Sequence, residues 1–179
     1  MQYPTAVRSA EIEIHLFEDD GTIPNNPKLP LLLYRSALHF ADNDPAAVCE
    51  DVFANHGWGD AWRDGIYPFP HYHSTAHEVL GIARGEARVR LGGEHGAEVT
   101  VGPGDVIAIP AGVGHQNLHS SPDLLVIGAY PEGQSWDLCR GEPDERPGVL
   151  ENIARVPLPD TDPVYGEAGP LIGHWRKRA

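Results

Sequence analysis

Cysteine is scarce in this 179-residue chain: Cys49 and Cys139 stand far apart, with no Cys-x-x-Cys pair. A disulfide framework is therefore not expected, and both residues read as small, semi-buried side chains in a reduced compartment. Positive charge is also in short supply. Thirteen basic residues face 26 acidic ones, for a net charge of -13. A field of that sign repels phosphate backbones and anionic membrane surfaces, so nucleic acid is not an expected partner. The one basic cluster, Arg176-Lys177-Arg178, reads as a solvated tail. No stretch approaches the roughly 20 apolar residues of a membrane span. Met1-Gln2-Tyr3-Pro4-Thr5 carries no basic leader, so the expected location is cytoplasmic with no membrane partner. His-Glu-x-x-His, P-loop and Gly-x-Ser-x-Gly patterns are all missing, which removes zincin, nucleotide-hydrolase and α/β-hydrolase chemistry. Internal repeats and low-complexity tracts are absent too.

What the chain does contain is short apolar runs punctuated by 20 glycines and 17 prolines. Without a collagen-like period these read as frequent turns between short strands, an all-β signature. Glu11–Phe17 alternates polar and apolar residues like a half-buried strand, and Leu29–Tyr34 reads as a second strand. One helix is expected near Asp44–Gly57: Asp44 as cap, Pro45 in the first turn, Gly57 as terminator, with Val48, Val52 and Phe53 facing inward. Seven strands follow, Ala61–Ile66, Glu78–Ile82, Glu86–Leu91, Ala97–Val101, Val106–Ile109, Gln116–Leu118 and Leu124–Ala129. Beyond Tyr130 the chain is rich in Pro and Gly, with a short helix near Val149–Ala154. Val164, Leu171, Ile172 and Trp175 suggest that this tail packs back. The length suits one domain over 1–179, divided into an N-terminal strand-helix extension (1–57), a barrel core (about 58–131) and a C-terminal tail (132–179).

Histidine is the informative residue. His71, His73, His77 and His95 fall close together, with His115 and His119 further on. On a strand His71 and His73 share a face, and imidazoles joined by a carboxylate suit first-row transition metals. Either Glu78 or His77 could return to that point, and strand parity favours His77.

Two motifs carry a family resemblance. Gly65, His71, His73, Glu78 and Gly85 follow G-x5-H-x-H-x4-E-x6-G, and Gly104, Pro110, Gly112 and His115 follow G-x5-P-x-G-x2-H. In both, the chain resembles the cupins, and over its length it is similar to uncharacterised stand-alone single-domain bacterial cupins; Asp19-Asp20-Gly21, His56-Gly57-Trp58 and Gly128-Ala129-Tyr130-Pro131 carry the wider likeness. The resemblance implies a double-stranded antiparallel β-barrel (cupin or jelly roll) holding one divalent transition metal through His71, His73, Glu78 and His115, and so decides for Glu78 over His77. Fe, Mn, Ni, Zn and Cu all fit this donor set. Many cupins have Asn four positions after the last histidine, where this chain has His119.

His77, Asn117 and His119 are candidates for groups behind the metal ligands or against a substrate. Tyr130 is a further cavity candidate, and Trp58, Trp62, Tyr67 and Tyr72 are candidates for the entrance. No catalytic acid or base stands out. The expected function is that of a metal-dependent enzyme, of dioxygenase, isomerase or decarboxylase type, acting on a small polar molecule; the alternative is a non-catalytic small-molecule or metal-binding cupin. An exposed alternating strand at Ile12–Leu16 further suggests a homodimer.

Overall fold

In a computed structural model, which describes residues 2–176, nine strands form two antiparallel sheets. They are β1 (Glu11–His15), β2 (Leu31–Arg35), β3 (Trp58–Asp64), β4 (Glu78–Arg84), β5 (Ala87–Leu91), β6 (Ala97–Val101), β7 (Val106–Ile109), β8 (His115–Ser120) and β9 (Leu125–Pro131). The larger sheet runs β1-β2-β7-β4-β9-β3, the smaller β6-β5-β8. Three helices accompany them, α1 (Pro45–Asn55), α2 (Gly148–Arg155) and α3 (Pro170–Arg176). Lys177 and Arg178 of the basic tail lie outside the described residues.

Burial explains the strand sequences. In β5 only one face is covered, so Ala87, Val89 and Leu91 are buried while Arg88 is exposed, the alternation of a one-sided strand. In β2 and β4 both faces are covered and the sequence is a nearly unbroken apolar run. Leu31, Leu33, Leu80, Ile82, Ile107 and Val126 face the smaller sheet and build one core with Val89 and Leu91. Leu32, Tyr34, Val79, Ala108 and Ile127 face the other way and pack with Val48, Val52, Phe53, Leu171 and Trp175.

Asp44 caps α1 by accepting from the Ala46 amide, and Pro45 sits in the first turn. The helix lies so close to β4 that a Cβ on Gly81 would stand 2.9 Å from Phe53 and 3.1 Å from Cys49. On the tail, the buried Asp162 carboxylate accepts from the Tyr34 hydroxyl and from the amides of Val164, Tyr165 and Leu171. The Trp175 indole donates to the Pro30 carbonyl. The tail is thereby part of the folded body, as its apolar residues suggest.

One boundary shifts. The segment 1–57, read from sequence as an extension, supplies β2, whose Leu31, Leu32, Leu33 and Tyr34 are fully buried, and β2 pairs with β7 inside the sheet. The larger sheet is therefore completed from outside 58–131. Strand β1 is its edge, with Ile14 and Leu16 exposed. Of the motif glycines, Gly85 and Gly104 adopt positive φ, whereas Gly65 does not.

Candidate metal centre

His71 and Tyr72 form a very short strand held from both sides. His71 exchanges backbone hydrogen bonds with His115, at 3.2 and 2.9 Å, and Tyr72 exchanges them with Cys139, at 3.0 and 2.9 Å. The period of two then turns His71 and His73 together, while Tyr72 points the other way and donates to Glu145. Ligand nitrogens of His71, His73 and His115 lie within 4.8 Å of one another, and all three side chains are buried.

Alternation breaks after His73. Ser74 and Thr75 form a bend around the Asp137 carboxylate, which accepts from the Ser74 amide at 2.6 Å, the Ser74 hydroxyl, and the Thr75 amide at 3.3 Å. When β4 begins, Glu78 faces the imidazoles: Oε1 lies 3.2 Å from His115 Nε2 and Oε2 lies 3.4 Å from His73 Nε2. His77 is turned to the opposite side. Its ring packs on Trp175, 4.8 Å between centroids, and its Nδ1 accepts from the Ala111 amide at 2.9 Å. The strand-parity argument for His77 fails because the bend inserts an irregularity that parity does not count.

Each imidazole is fixed in one tautomer. His71 Nδ1 bonds the Phe69 carbonyl, His73 Nδ1 the Asp137 carbonyl, and His115 Nδ1 the Val113 carbonyl. A carbonyl only accepts, so each Nδ1 carries the hydrogen and each Nε2 keeps its lone pair. Three preset lone pairs beside a buried carboxylate are the donor set of a divalent transition metal, with outer hydrogen bonds of the kind that orient metal-binding histidines.

The electrostatics distinguish His71 from His73. Burial, then the neighbouring His115, lowers the His71 pKa to about 3, so it is neutral at neutral pH. Burial disfavours a charged His73, but the charge and hydrogen bond of Glu78 and the bond to Asp137 outweigh it and raise its pKa. Burial likewise opposes ionisation of Glu78, yet His73 and His115 hold its carboxyl well below the usual carboxylate range. A buried carboxylate that stays ionised requires positive charge beside it.

The cluster floors a cavity of about 570 Å³. Ile66 and Leu80 line its depth, and Trp62, Tyr67, Tyr130 and Trp136 its sides. Trp62 lies flat on β9, where a Cβ on Gly128 would stand 2.1 Å from its ring, so only glycine admits it. The Trp62 indole donates to the Tyr130 hydroxyl at 2.7 Å. Burial and the Glu78 charge push the phenol pKa up, which keeps it protonated.

Of the sequence candidates, Tyr130, Trp62 and Tyr67 line this cavity, whereas Trp58 and Tyr72 are buried in the cores. Asn117 and His119 are not brought to it. Asn117 Nδ2 donates to Ser120 Oγ at 3.1 Å. A register shift in β8 carries the pairing from Val89↔Asn117 to Arg88↔His119, so Leu118 is the extra residue of a bulge and His119 emerges on the exposed face of Arg88. Two residues that sequence reasoning missed, Trp136 and Asp137, come from the irregular tail, where no periodicity marks them.

A buried cluster of three histidines set in a two-sheet β-fold defines the class of protein to which comparison with known sequences also points. The family model described as Cupin domain matches residues 64–126. Uncharacterized protein YjlB of Bacillus subtilis (strain 168) is 42% identical over 167 residues, 93% of this chain and 98% of that one. The chain belongs to the cupin family. Among solved structures, the acireductone dioxygenase from Bacillus anthracis with a cadmium ion in its active center is 16% identical, covering 73% of this chain and 83% of that one with a TM-score of 0.38. Procruciferin, an 11S globulin from Brassica napus, is 16% identical with a TM-score of 0.36, covering 76% of this chain; the match spans only 28% of the globulin's length. Likenesses of this degree carry no inference about chemistry.

Proposed function

We propose that this cupin binds one divalent transition metal through His71, His73, Glu78 and His115 and acts as a metal-dependent enzyme on a small molecule admitted by the cavity. The observation that carries this reading is the triple Nδ1–carbonyl arrangement, which aims three Nε2 lone pairs at one point beside the ionised Glu78. A metal there supplies Lewis-acid or oxygen-activating chemistry, with positions beyond the four protein ligands left for substrate. The chain's own residues orient and enclose: the Trp62 indole fixes the Tyr130 hydroxyl at the cavity wall, and the aromatic sides exclude water.

One observation favours the alternative of a non-catalytic binder. Apart from the ligand set and Tyr130, the titratable groups of the described residues bordering the cavity are Asp60, Arg63, Asp64 and Tyr67, and of these only Tyr67 packs on an imidazole, through its ring edge-to-face with His71 and without a hydrogen bond to it. The test is elemental analysis of protein purified without a metal-affinity tag, followed by reconstitution with Fe, Mn, Ni, Cu and Zn and a screen for oxygen uptake and product by mass spectrometry. About one metal per chain with turnover under one of these ions supports the enzyme. One metal per chain with tight ligand binding and no chemical change supports the binder, and no uptake of any of the five refutes both.

A further inference from the structure

Above the ligand cluster the cavity walls are largely rings and aliphatic carbon, with Asp60, Arg63 and Asp64 at the border. Tyr67 and Trp136 are about 45% and 46% exposed at its mouth. Exposed aromatics facing a cavity leave apolar surface that a ligand would cover. Their orientation is fixed: Trp136 stacks with Tyr130 at 17° between planes and Tyr67 with Phe69 at 17°. Of the polar atoms on these walls, the Trp62 indole is engaged by the Tyr130 hydroxyl, and each of the others is the single polar atom of an aromatic side chain.

The charges at the mouth complete the picture. Among the described residues Arg63 is the one arginine or lysine bordering the cavity, and its guanidinium is turned to Glu50, with Nε at 2.6 Å and a second nitrogen at 2.5 Å, and to Asp44 at 3.9 Å. Asp60 and Asp64 border the same opening. A carboxylate or phosphate arriving at that opening meets two carboxylates, an arginine already paired and a chain of net charge -13.

We infer that the site takes an uncharged, planar aromatic molecule whose one polar end is an oxygen donor directed at the His/Glu cluster, and that it discriminates against carboxylates of the same shape. This inference rests on the metal-centre reading for the polar end and on the walls alone for the ring.

The test uses two probes with the same ring system and two adjacent oxygen functions, 2,3-dihydroxynaphthalene, neutral at neutral pH, and 3-hydroxy-2-naphthoate, an anion. Their dissociation constants for the metal-loaded full chain are read by calorimetry and by quenching of tryptophan fluorescence. The neutral diol is expected to bind at least tenfold more tightly. Trp136→Ala or Tyr67→Ala should weaken it about tenfold, the scale of one lost aromatic contact, with metal content by elemental analysis unchanged. Asp60→Asn combined with Asp64→Asn should narrow the gap between the probes. Equal or tighter binding of the naphthoate, or indifference of diol affinity to both aromatic truncations, overturns the inference. If no metal is taken up, the metal-centre reading fails separately. The walls are then tested on metal-free protein with 2-naphthol against 2-naphthoate, where preference for the naphthol upholds the inference and its lack overturns it.

Discussion

Asp137 is the residue on which site and fold are most tightly joined, and its truncation offers a quantitative test. Its carboxylate takes hydrogen bonds from the Ser74 amide, the Ser74 hydroxyl and the Thr75 amide, and its own carbonyl receives His73 Nδ1–H. In Asp137→Ala the carbonyl remains but the bend loses its anchor, and Ser74, fully buried, is left with unpaired donors. Each such group costs about 1–3 kcal/mol. With Asp137 half-buried and water able to compensate in part, a total of about 2–4 kcal/mol is expected. Release of the bend also lets the Asp137 carbonyl drift from the His73 ring, and because loss of such an outer partner lowers metal affinity by about 10–100-fold, its loosening should weaken metal binding by up to about that much. Asp137→Asn keeps one oxygen for the two amides and should fall between wild type and alanine on both measures. Thermal unfolding reads the first quantity and chelator competition the second. A stability loss of this size with unchanged metal affinity would show that Asp137 braces the loop without orienting His73, and the reasoning would be wrong. The carboxylate also has a pH signature. Burial would raise its pKa, but the Ser74 hydroxyl and amide, the Cys139 thiol and the Thr75 amide lower it below the ordinary value. Its contribution is therefore fully present above the unfolded carboxyl pKa of about 3.9 and is lost as pH falls through the lower folded value.

Burial lowers the His77 pKa to about 4, so the unfolded chain binds this proton first; stability should decline as pH falls from about 6.5 to about 4, and the decline should flatten in His77→Phe if denaturant midpoints are followed across that range. Glu78→Gln should weaken metal binding strongly, while His77→Ala should leave metal content near wild type and cost about 2–4 kcal/mol of stability through its lost packing on Trp175 and the unpaired Ala111 amide; the reverse ranking in metal titrations would return the ligand role to His77. If the free edge of β1, with its exposed Ile14 and Leu16, pairs with a second copy as the sequence suggests, light scattering should give twice the 19.5 kDa of the chain; a monomer mass at micromolar concentration refutes it.

The strands of the smaller sheet were legible because they are covered on one face and alternate accordingly: β6 has the limits expected from sequence, and β5 starts one residue later. Strand β2 was visible as an apolar run, but its central place was not, since a run buried on two faces says nothing about which strands flank it. Glu78 was legible only through the family motif, because the Asp137-anchored bend that turns it inward is made by a residue distant in sequence. His119 was misplaced for a related reason: the bulge at Leu118 resets the alternation, and nothing in Gln116-Asn117-Leu118-His119 marks it. Trp136 and Asp137 lie in a segment without period, so their approach to His73 is a product of tertiary packing.

The central claim is that three histidines and one glutamate of this chain converge on a single ion. X-ray absorption at the metal edge of the reconstituted protein tests it most directly. The account predicts three imidazole nitrogens and carboxylate oxygen at about 2.0–2.2 Å, with the oxygen contribution altered in Glu78→Gln and no sulfur contribution. A spectrum with fewer than three imidazoles, or with sulfur from Cys139, would contradict it.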